Sequence, residues 1–493
     1  MPNTHLPGHL DSARQKLRPK HQLLVLKCYP RLPKNSAADV VPNGSELSYL
    51  LFYASTRRTK LQKLGAFLEQ KTAADVWRYQ SARVLVTLQI LNALLEHKVI
   101  SKAKGFSLIA PSVLRIIREI ITSTNDISLI EASVGTWDAV CQHQDHATLA
   151  ADVSYRTLFE ENVALYASLA KNSTKKLGKS TQPVARHDAT RLRKAGVTAI
   201  KCLFQPVEPG TWWTAHLDAT LPAVISNLRH DEATYLEHIQ SLSDKSEDDD
   251  KVKSLTRRMS VAASRTFSGL QEAAESDPRA AEGTAQDADN LEEEEVGVLA
   301  ISCLRAIFQT QNRAQTRGAA MVFLKYVSDE QERLSPRPAT EELVGLPFTE
   351  WATTIFRMIT SWTPVQERFI LLITAVETLR QSPLQNTDLR ANLLFADLID
   401  AVLRSQLNLI GLSVMDVLLG LLDQLGRLAA ISTSSTEHAP IASSLLKQRL
   451  QSCIADLATH VYYSDQITDM ISTIIARIKP DAIPSGQTSP PSE

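Results

Sequence analysis

A chain of 493 residues with 44% hydrophobic and 22% charged residues has the composition of a soluble globular protein long enough for several domains. Its formal net charge of −1 gives no global attraction to nucleic acid, and none is expected as a partner. Its 17 glycines are about half of the usual ~7% usage, which argues against glycine-rich nucleotide loops and turn-rich all-β architectures.

The first element is a basic N-terminal segment, residues 1–45, without the apolar stretch of a signal peptide. Charge is unevenly spread here. Between Met1 and Lys63 stand eleven basic residues, Arg14, Lys16, Arg18, Lys20, Lys27, Arg31, Lys34, Arg57, Arg58, Lys60 and Lys63. Only Asp11, Asp39 and Glu46 oppose them, a net of +8 in a chain of −1. A lysine or arginine beside an anionic leaflet is worth about 1 kcal/mol, so several acting together could hold a protein at a membrane surface, with Leu23 to Leu26 packing or inserting. A solvated basic end covering the first helix pair is the alternative reading.

Residues 46–240 follow as helical repeats. Val84, Leu85, Leu88, Leu91, Leu94 and Leu95 recur at steps of three and four, as do Val113, Ile116, Ile117, Ile120 and Ile121. These spacings predict amphipathic helices over Ala82–Leu95 and Ile109–Ile121, with Pro111 at a helix start and Asp126 capping the next helix. Residues 241–295 form an acidic low-complexity insertion; between Asp244 and Glu295 fifteen acidic and seven basic residues give a net of −8. Such a stretch is expected to be disordered. Helical periodicity resumes at Val296 and runs through a second repeat region, 296–479, before a polar tail at 480–493. Helix pairs of roughly forty residues with short connections point to an all-α, elongated α-solenoid of armadillo/HEAT-like helical repeats. The apolar run Leu407–Leu422 is broken by Asn408, Ser413 and Asp416 and falls short of the ~20 residues of a spanning helix, so membrane contact is expected to be peripheral.

Catalytic templates find little purchase. Gly178-Lys179-Ser180-Thr181 ends like a phosphate-binding loop, but position 173 is Ser173 rather than glycine and no strand precedes it. Gly105-Phe106-Ser107-Leu108-Ile109 lacks the closing glycine of a nucleophile elbow. Cys141, His143 and His146 match no zinc spacing. The five cysteines, Cys28, Cys141, Cys202, Cys303 and Cys453, are scattered, which suits a reducing interior and no disulfide framework. No enzyme class, metal or cofactor emerges. Arg257-Arg258-Met259-Ser260 has the two arginines before a serine that basophilic kinases prefer, which makes Ser260 a candidate phosphorylation site.

The stretch Glu46-Leu47-Ser48-Tyr49-Leu50-Leu51-Phe52-Tyr53-Ala54-Ser55-Thr56-Arg57-Arg58-Thr59-Lys60-Leu61-Gln62-Lys63, with Pro19-Lys20-His21-Gln22 and Cys28-Tyr29-Pro30 upstream, resembles the N-terminal signature of the Eighty-Five Requiring family, called Rolling blackout in flies. The length and acidic insertion are similar to those of fungal members. The resemblance implies a rod of helical repeats at the cytoplasmic face of the plasma membrane. There it would anchor a type III alpha phosphatidylinositol 4-kinase together with a tetratricopeptide-rich adaptor and support phosphatidylinositol 4-phosphate synthesis. It also implies binding of acidic inner-leaflet phospholipids through the basic residues between Arg14 and Lys34; Arg57, Arg58, Lys60 and Lys63 either join them or brace the first repeat. Animal members carry an N-terminal cysteine cluster for palmitoylation. Here Cys28 alone is a candidate for lipidation, with a core position as its alternative. The family's C-terminal region, implicated in adaptor contact, is shorter here, as in a short version or a fragment. A lipase activity once proposed for a fly member finds no nucleophile elbow in this chain.

Overall fold

Every regular element among the described residues is helical. The computed structural model describes residues 18–30, 40–98, 100, 103–144, 146–171, 184–205, 211–230, 234–245, 278–334, 347–384, 389–434, 441–461 and 464–478. They fall into two units, Met1–Arg229 with Glu237–Ile307, and His230–Leu236 with Phe308–Glu493.

Unit 1 opens with α1 (Lys20–Cys28) and α2 (Gly44–Thr56), then a 3-10 turn at Arg58–Lys60. Three helix pairs follow: α3 (Leu61–Trp77) with α4 (Ser81–Leu95), α5 (Ala103–Ser123) with α6 (Ile127–His143), and α8 (Val153–Ala170) with α9 (Arg186–Phe204). The short α7 (His146–Ala151) joins the last two pairs, and α10 (Leu217–Ile225), α11 (235–245) and α12 (Pro278–Phe308) complete the unit. Each pair packs internally and also against the next. The helices α3, α5, α8 and α10 make one row; α4, α6 and α9 make the other. This two-row stacking is the armadillo/HEAT arrangement that the pair spacing predicts. It also explains why α4 is apolar on more than one side. Val84, Leu88, Leu91 and Leu95 are buried, and so are Val86, Ile90 and Leu94, because a mid-stack helix faces its own partner and both row neighbours.

Local signals place the helix ends. Asp126 caps α6, its carboxylate accepting from Ser128 N at 3.1 Å, as the sequence implies. Asp152 caps α8 by accepting from Tyr155 N at 3.1 Å. Pro111 departs from expectation: it lies inside α5 rather than at its start, and Ser107 is likewise interior. A mid-helix proline removes one backbone donor and costs ~3 kcal/mol or more. Burial of Phe106, Ile109, Ala110, Val113 and Leu114 around it favours an uninterrupted helix. Arginine–carboxylate pairs cross from each row member to the next: Arg115 to Glu69 at 2.8 Å, Arg118 to Glu161 at 2.7 Å and Arg191 to Glu131 at 2.6 Å. Exposed pairs of this kind contribute only about 0–1 kcal/mol each, so they set register between repeats more than stability.

The acidic insertion also needs correction at its C-terminal end. Helix α12 begins at Pro278, well before the expected resumption at Val296. Glu292 meets His187 at 2.7 Å, and Glu293 and Glu295 pair with Arg193 and Lys194, all on α9. Acidic side chains that read as solvated are thus used to dock a helix on a basic face. The rest of the insertion, 246–277, lies outside the described residues.

Unit 2 contains α13 (Arg313–Leu334), α14 (Pro347–Trp362), α15 (Arg368–Gln381), α16 (Arg390–Arg404), α17 (Val414–Ser434), α18 (Ile441–Leu457) and α19 (Ser464–Ile478). Its rows are α13, α15, α17, α19 and α14, α16, α18. The buried α16 carries Asp397, paired with Arg449 at 3.1 Å, and Asp400, 3.2 Å from Arg404. Burial pushes the Asp397 carboxyl up to about 6 in spite of Arg449. The folded chain therefore binds a proton that the unfolded chain has released. The associated stability is fully present below about pH 4 and is lost as pH rises to about 6. Unit 2 is expected to lose on the order of 1–2 kcal/mol from this group across that window. Urea titrations at pH 4, 5, 6 and 7 check it: the stability difference between wild type and Asp397→Asn should shift steadily in favour of the variant. A difference that stays constant with pH would refute the assignment.

Candidate functional site

The first two helices fold as a pair because each has one apolar side. On α1, which follows Pro19, Leu24, Val25 and Cys28 turn inward while Lys20 and Lys27 face water. The run Leu23–Leu26 is thus packing material: Leu24 and Val25 are buried, Leu23 and Leu26 half-buried. On α2, Leu50, Tyr53 and Ala54 are buried, whereas Ser45, Ser48, Tyr49 and Phe52 form an exposed face. Phe52 is 65% and Tyr49 49% exposed. Burying such a side chain is worth roughly 1.5–3 kcal/mol, and here that gain is left unused in water.

Basic groups stand over Tyr49 and its buried neighbour Tyr53. Lys20 Nζ lies 5.8 Å from the ring centres of both Tyr49 and Tyr53, and the Arg57 guanidinium 5.8 Å from that of Tyr53. Arg57 ends α2 in a non-helical conformation, and the following 3-10 turn carries Arg58 and Lys60 into the first turn of α3, where Lys63 stands. His21 marks how close the two groups come. Its pKa is lowered, first by burial and then by the charges of Lys60 and Lys63, so it sits neutral beneath a cationic rim. Lys20, Arg57, Arg58, Lys60 and Lys63 therefore share one corner of unit 1. Glu46 lies in the first turn of α2, at the helix end away from Arg57, where it faces Lys27 at 3.9 Å.

Arg18 and Lys27 are also exposed, Lys60 is half-buried, and Arg14, Lys16, Arg31, Lys34 and Ser260 lie outside the described residues. Cys28 is not an acylation site in this fold. It is fully buried, its Sγ donates to Leu24 O at 3.3 Å, and burial, reinforced by Glu46, pushes the thiol up to about 12. An acyl chain needs a thiol at the surface, and this one is core. Sequence reasoning missed Tyr49 and Phe52. The available signal was their position at i and i+3 among the serines of the polar face, hidden in a run that reads as uniformly apolar.

No group of side chains among the described residues could hold a metal ion, and Cys141 is a buried core residue. Ser107 lines an open groove of about 750 Å³ with Ser112, Arg115 and Arg118; of the carboxylates in that lining, Asp152 caps α8 and Glu161 pairs with Arg118. No helix among the described residues is long and apolar enough to cross a membrane. The corner can thus present cations and two exposed rings to a flat or extended anionic surface.

A family model described as EFR3 protein matches residues 20–318 and 334–489. Protein EFR3 of Gibberella zeae is 42% identical over 499 residues, an alignment covering 98% of this chain and 43% of that protein. Protein efr-3 of Neurospora crassa is 40% identical over 503 residues, covering 98% of this chain and 43% of the relative. The chain thus spans less than half the length of these relatives. A solved structure reported as "Crystal structure of Efr3" matches with a TM-score of 0.60 at 18% identity, covering 95% of this chain and 69% of that one, which shows the shared all-helical fold. With nearly the whole of its length matched by the family model, the chain belongs to the EFR3 protein family.

Proposed function

We propose that the chain is a peripheral scaffold of the cytoplasmic face of the plasma membrane, attached through the corner formed by α1, α2 and the start of α3. The observation that carries this reading is that Lys20, Arg57, Arg58, Lys60 and Lys63 stand on the same two-helix corner and adjoining turn as the exposed Tyr49 and Phe52, with Lys20 over the Tyr49 ring. Cations draw the corner to anionic headgroups at about 1 kcal/mol each, and interfacial aromatics favour the headgroup level. Arg14, Lys16, Arg31 and Lys34 would add to the same attraction. The helical rows then serve as a surface for partner proteins, with a phosphatidylinositol 4-kinase and its tetratricopeptide-rich adaptor as the partners that family membership favours. The role is recruitment, not catalysis.

Liposome co-sedimentation tests it. The wild-type chain should bind vesicles containing phosphatidylserine or phosphoinositide, ignore neutral ones, and release as salt is raised, because exposed charges are screened within about 8–10 Å. Changing Lys20, Arg57, Arg58, Lys60 and Lys63 to Glu should reduce binding at least a hundredfold, with helicity by circular dichroism unchanged. Changing Phe52 to Ser should reduce it several-fold without altering the salt dependence. Equal binding by wild type and the charge variant would sink the reading. No binding by either would favour a soluble adaptor that meets only proteins.

A further inference from the structure

The turn between α3 and α4 leaves two large aromatics in water: Trp77 is 79% and Tyr79 91% exposed. Neither is on a disordered tip. Arg78 N donates to Ala74 O at 3.2 Å, Tyr79 N to Val76 O at 3.0 Å and Gln80 N to Asp75 O at 2.9 Å, the paired bonds of a Schellman helix end. Tyr79 occupies the left-handed position of that motif with φ of 54°, where glycine is the ordinary choice. Below the turn, Val76 and Asp75 are buried, and Lys71 neutralises Asp75 at 2.7 Å while its ammonium sits 4.1 Å from the centre of the Tyr29 ring. The platform is therefore rigid, yet it carries both an unburied tryptophan and a strained tyrosine that contributes nothing to the core.

We propose that this turn is a docking point for an acidic protein segment that carries a large apolar side chain. Trp, Tyr and Arg are the residues that most often dominate binding energy at protein interfaces, and here Trp77, Arg78 and Tyr79 are consecutive. Charge selects the partner. Arg78 and Arg83 are exposed on the turn and the following helix, and the nearby Asp75 is already matched by Lys71, so the local field is positive. A protein occupant also fits the orientation. The seventeen residues of α3 place the turn about 25 Å from the end that carries Lys60 and Lys63. A membrane lying against that basic end leaves Trp77 facing away from it; this orientation rests on the membrane reading above, while the docking surface does not.

The test uses the whole chain without membranes. A phage library of random 12-residue peptides is panned on the immobilised protein, with counter-selection on a W77A/Y79G double variant. Recovered peptides should carry two or more Asp or Glu flanking a Leu, Ile, Phe or Trp. Synthesised, they should bind wild type by fluorescence anisotropy, weaken with salt, and lose at least tenfold in affinity to W77A and to Y79G separately. The Y79G variant should melt at or above the wild-type temperature, because glycine relieves the left-handed strain, so its lost binding cannot be a folding defect. No enrichment over the double variant, or affinity indifferent to Trp77 and Tyr79, overturns the proposal. Sedimentation with neutral phosphatidylcholine vesicles that depends on these two residues also overturns it, in favour of a membrane-inserting turn.

Discussion

Replacing Gly196 by alanine is expected to destabilise unit 1 by about 2 kcal/mol or more, although the same exchange in a free helix would stabilise it by about 1 kcal/mol. Gly196 lies where α9 crosses the end of α8. A Cβ there would stand 2.8 Å from both Ala170 Cα and Tyr166 O, and closer still to Ala170 N. These are backbone atoms of a buried helix, so no rotamer change can make room. The whole end of α8 must move, and it is tied down by Asn227 Nδ2 donating to Ala170 O at 2.7 Å and to Ala223 O at 2.8 Å. Gly135 is the internal control. It is exposed on α6, and an added Cβ meets only Asn92 Nδ2 at 3.6 Å, an ordinary contact. Gly135→Ala should therefore be neutral or mildly stabilising. Urea midpoints read with the slope held constant separate the two. Equal and small effects at both positions would mean that the α8–α9 crossing is looser than described.

The second large effect is centred on Trp137, which joins three helices of the same unit. Its ring centre lies 4.9 Å from that of Phe159 and 5.4 Å from that of Tyr166, both on α8, and its Nε1 donates to Ala199 O of α9 at 2.9 Å. Tyr166 in turn shares a 2.8 Å hydrogen bond with Ser133. His216 meets Phe159 in a tilted ring contact at 5.8 Å, and burial lowers its pKa to about 4, so the cluster holds no charge at neutral pH. Trp137→Ala is expected to cost about 3–5 kcal/mol through the cavity and the orphaned carbonyl. Trp137→Phe keeps most of the packing and should cost about 1–2 kcal/mol. Against a domain stability of roughly 5–15 kcal/mol, the alanine variant should unfold at markedly lower urea. If the two variants lost the same stability, the hydrogen bond rather than the packing would be the dominant contribution.

The fold could be read from the sequence wherever a helix is amphipathic. Val84, Leu88, Leu91 and Leu95 announce α4 because apolar side chains at helical steps can be buried together in no other way. The start of α12 carries no such period, since Ala, Asp and Glu dominate it, and the docking of Glu292, Glu293 and Glu295 farther along the helix on His187, Arg193 and Lys194 depends on residues about a hundred positions away. Pro111 misled for a related reason, since local backbone chemistry argues for a break while burial on both sides argues against it. Half of the candidate site was visible in the same way. Charge counts find Lys20, Arg57, Arg58, Lys60 and Lys63 without any structure. They do not say which of Tyr49, Leu50, Leu51, Phe52 and Tyr53 face outward, because that depends on where α1 and α4 press against α2. The same contact decides Cys28, which is a surface thiol or a core residue according to whether α1 packs.

All five cysteines are buried, in five different helices: α1, α6, α9, α12 and α18. Burial pushes the thiols of Cys28 and Cys202 up to about 12 and raises those of Cys141, Cys303 and Cys453 well above the usual thiol range. Alkylation proceeds through the thiolate, so none of them reacts until its own layer opens. The chain consequently carries a native set of reporters, four in unit 1 and one in unit 2, with no engineered label needed. The order in which the five are alkylated in mild denaturant is the order in which the layers come apart. Whether Cys28 leads or lags the others tells whether the α1–α2 pair is the first part of unit 1 to fray.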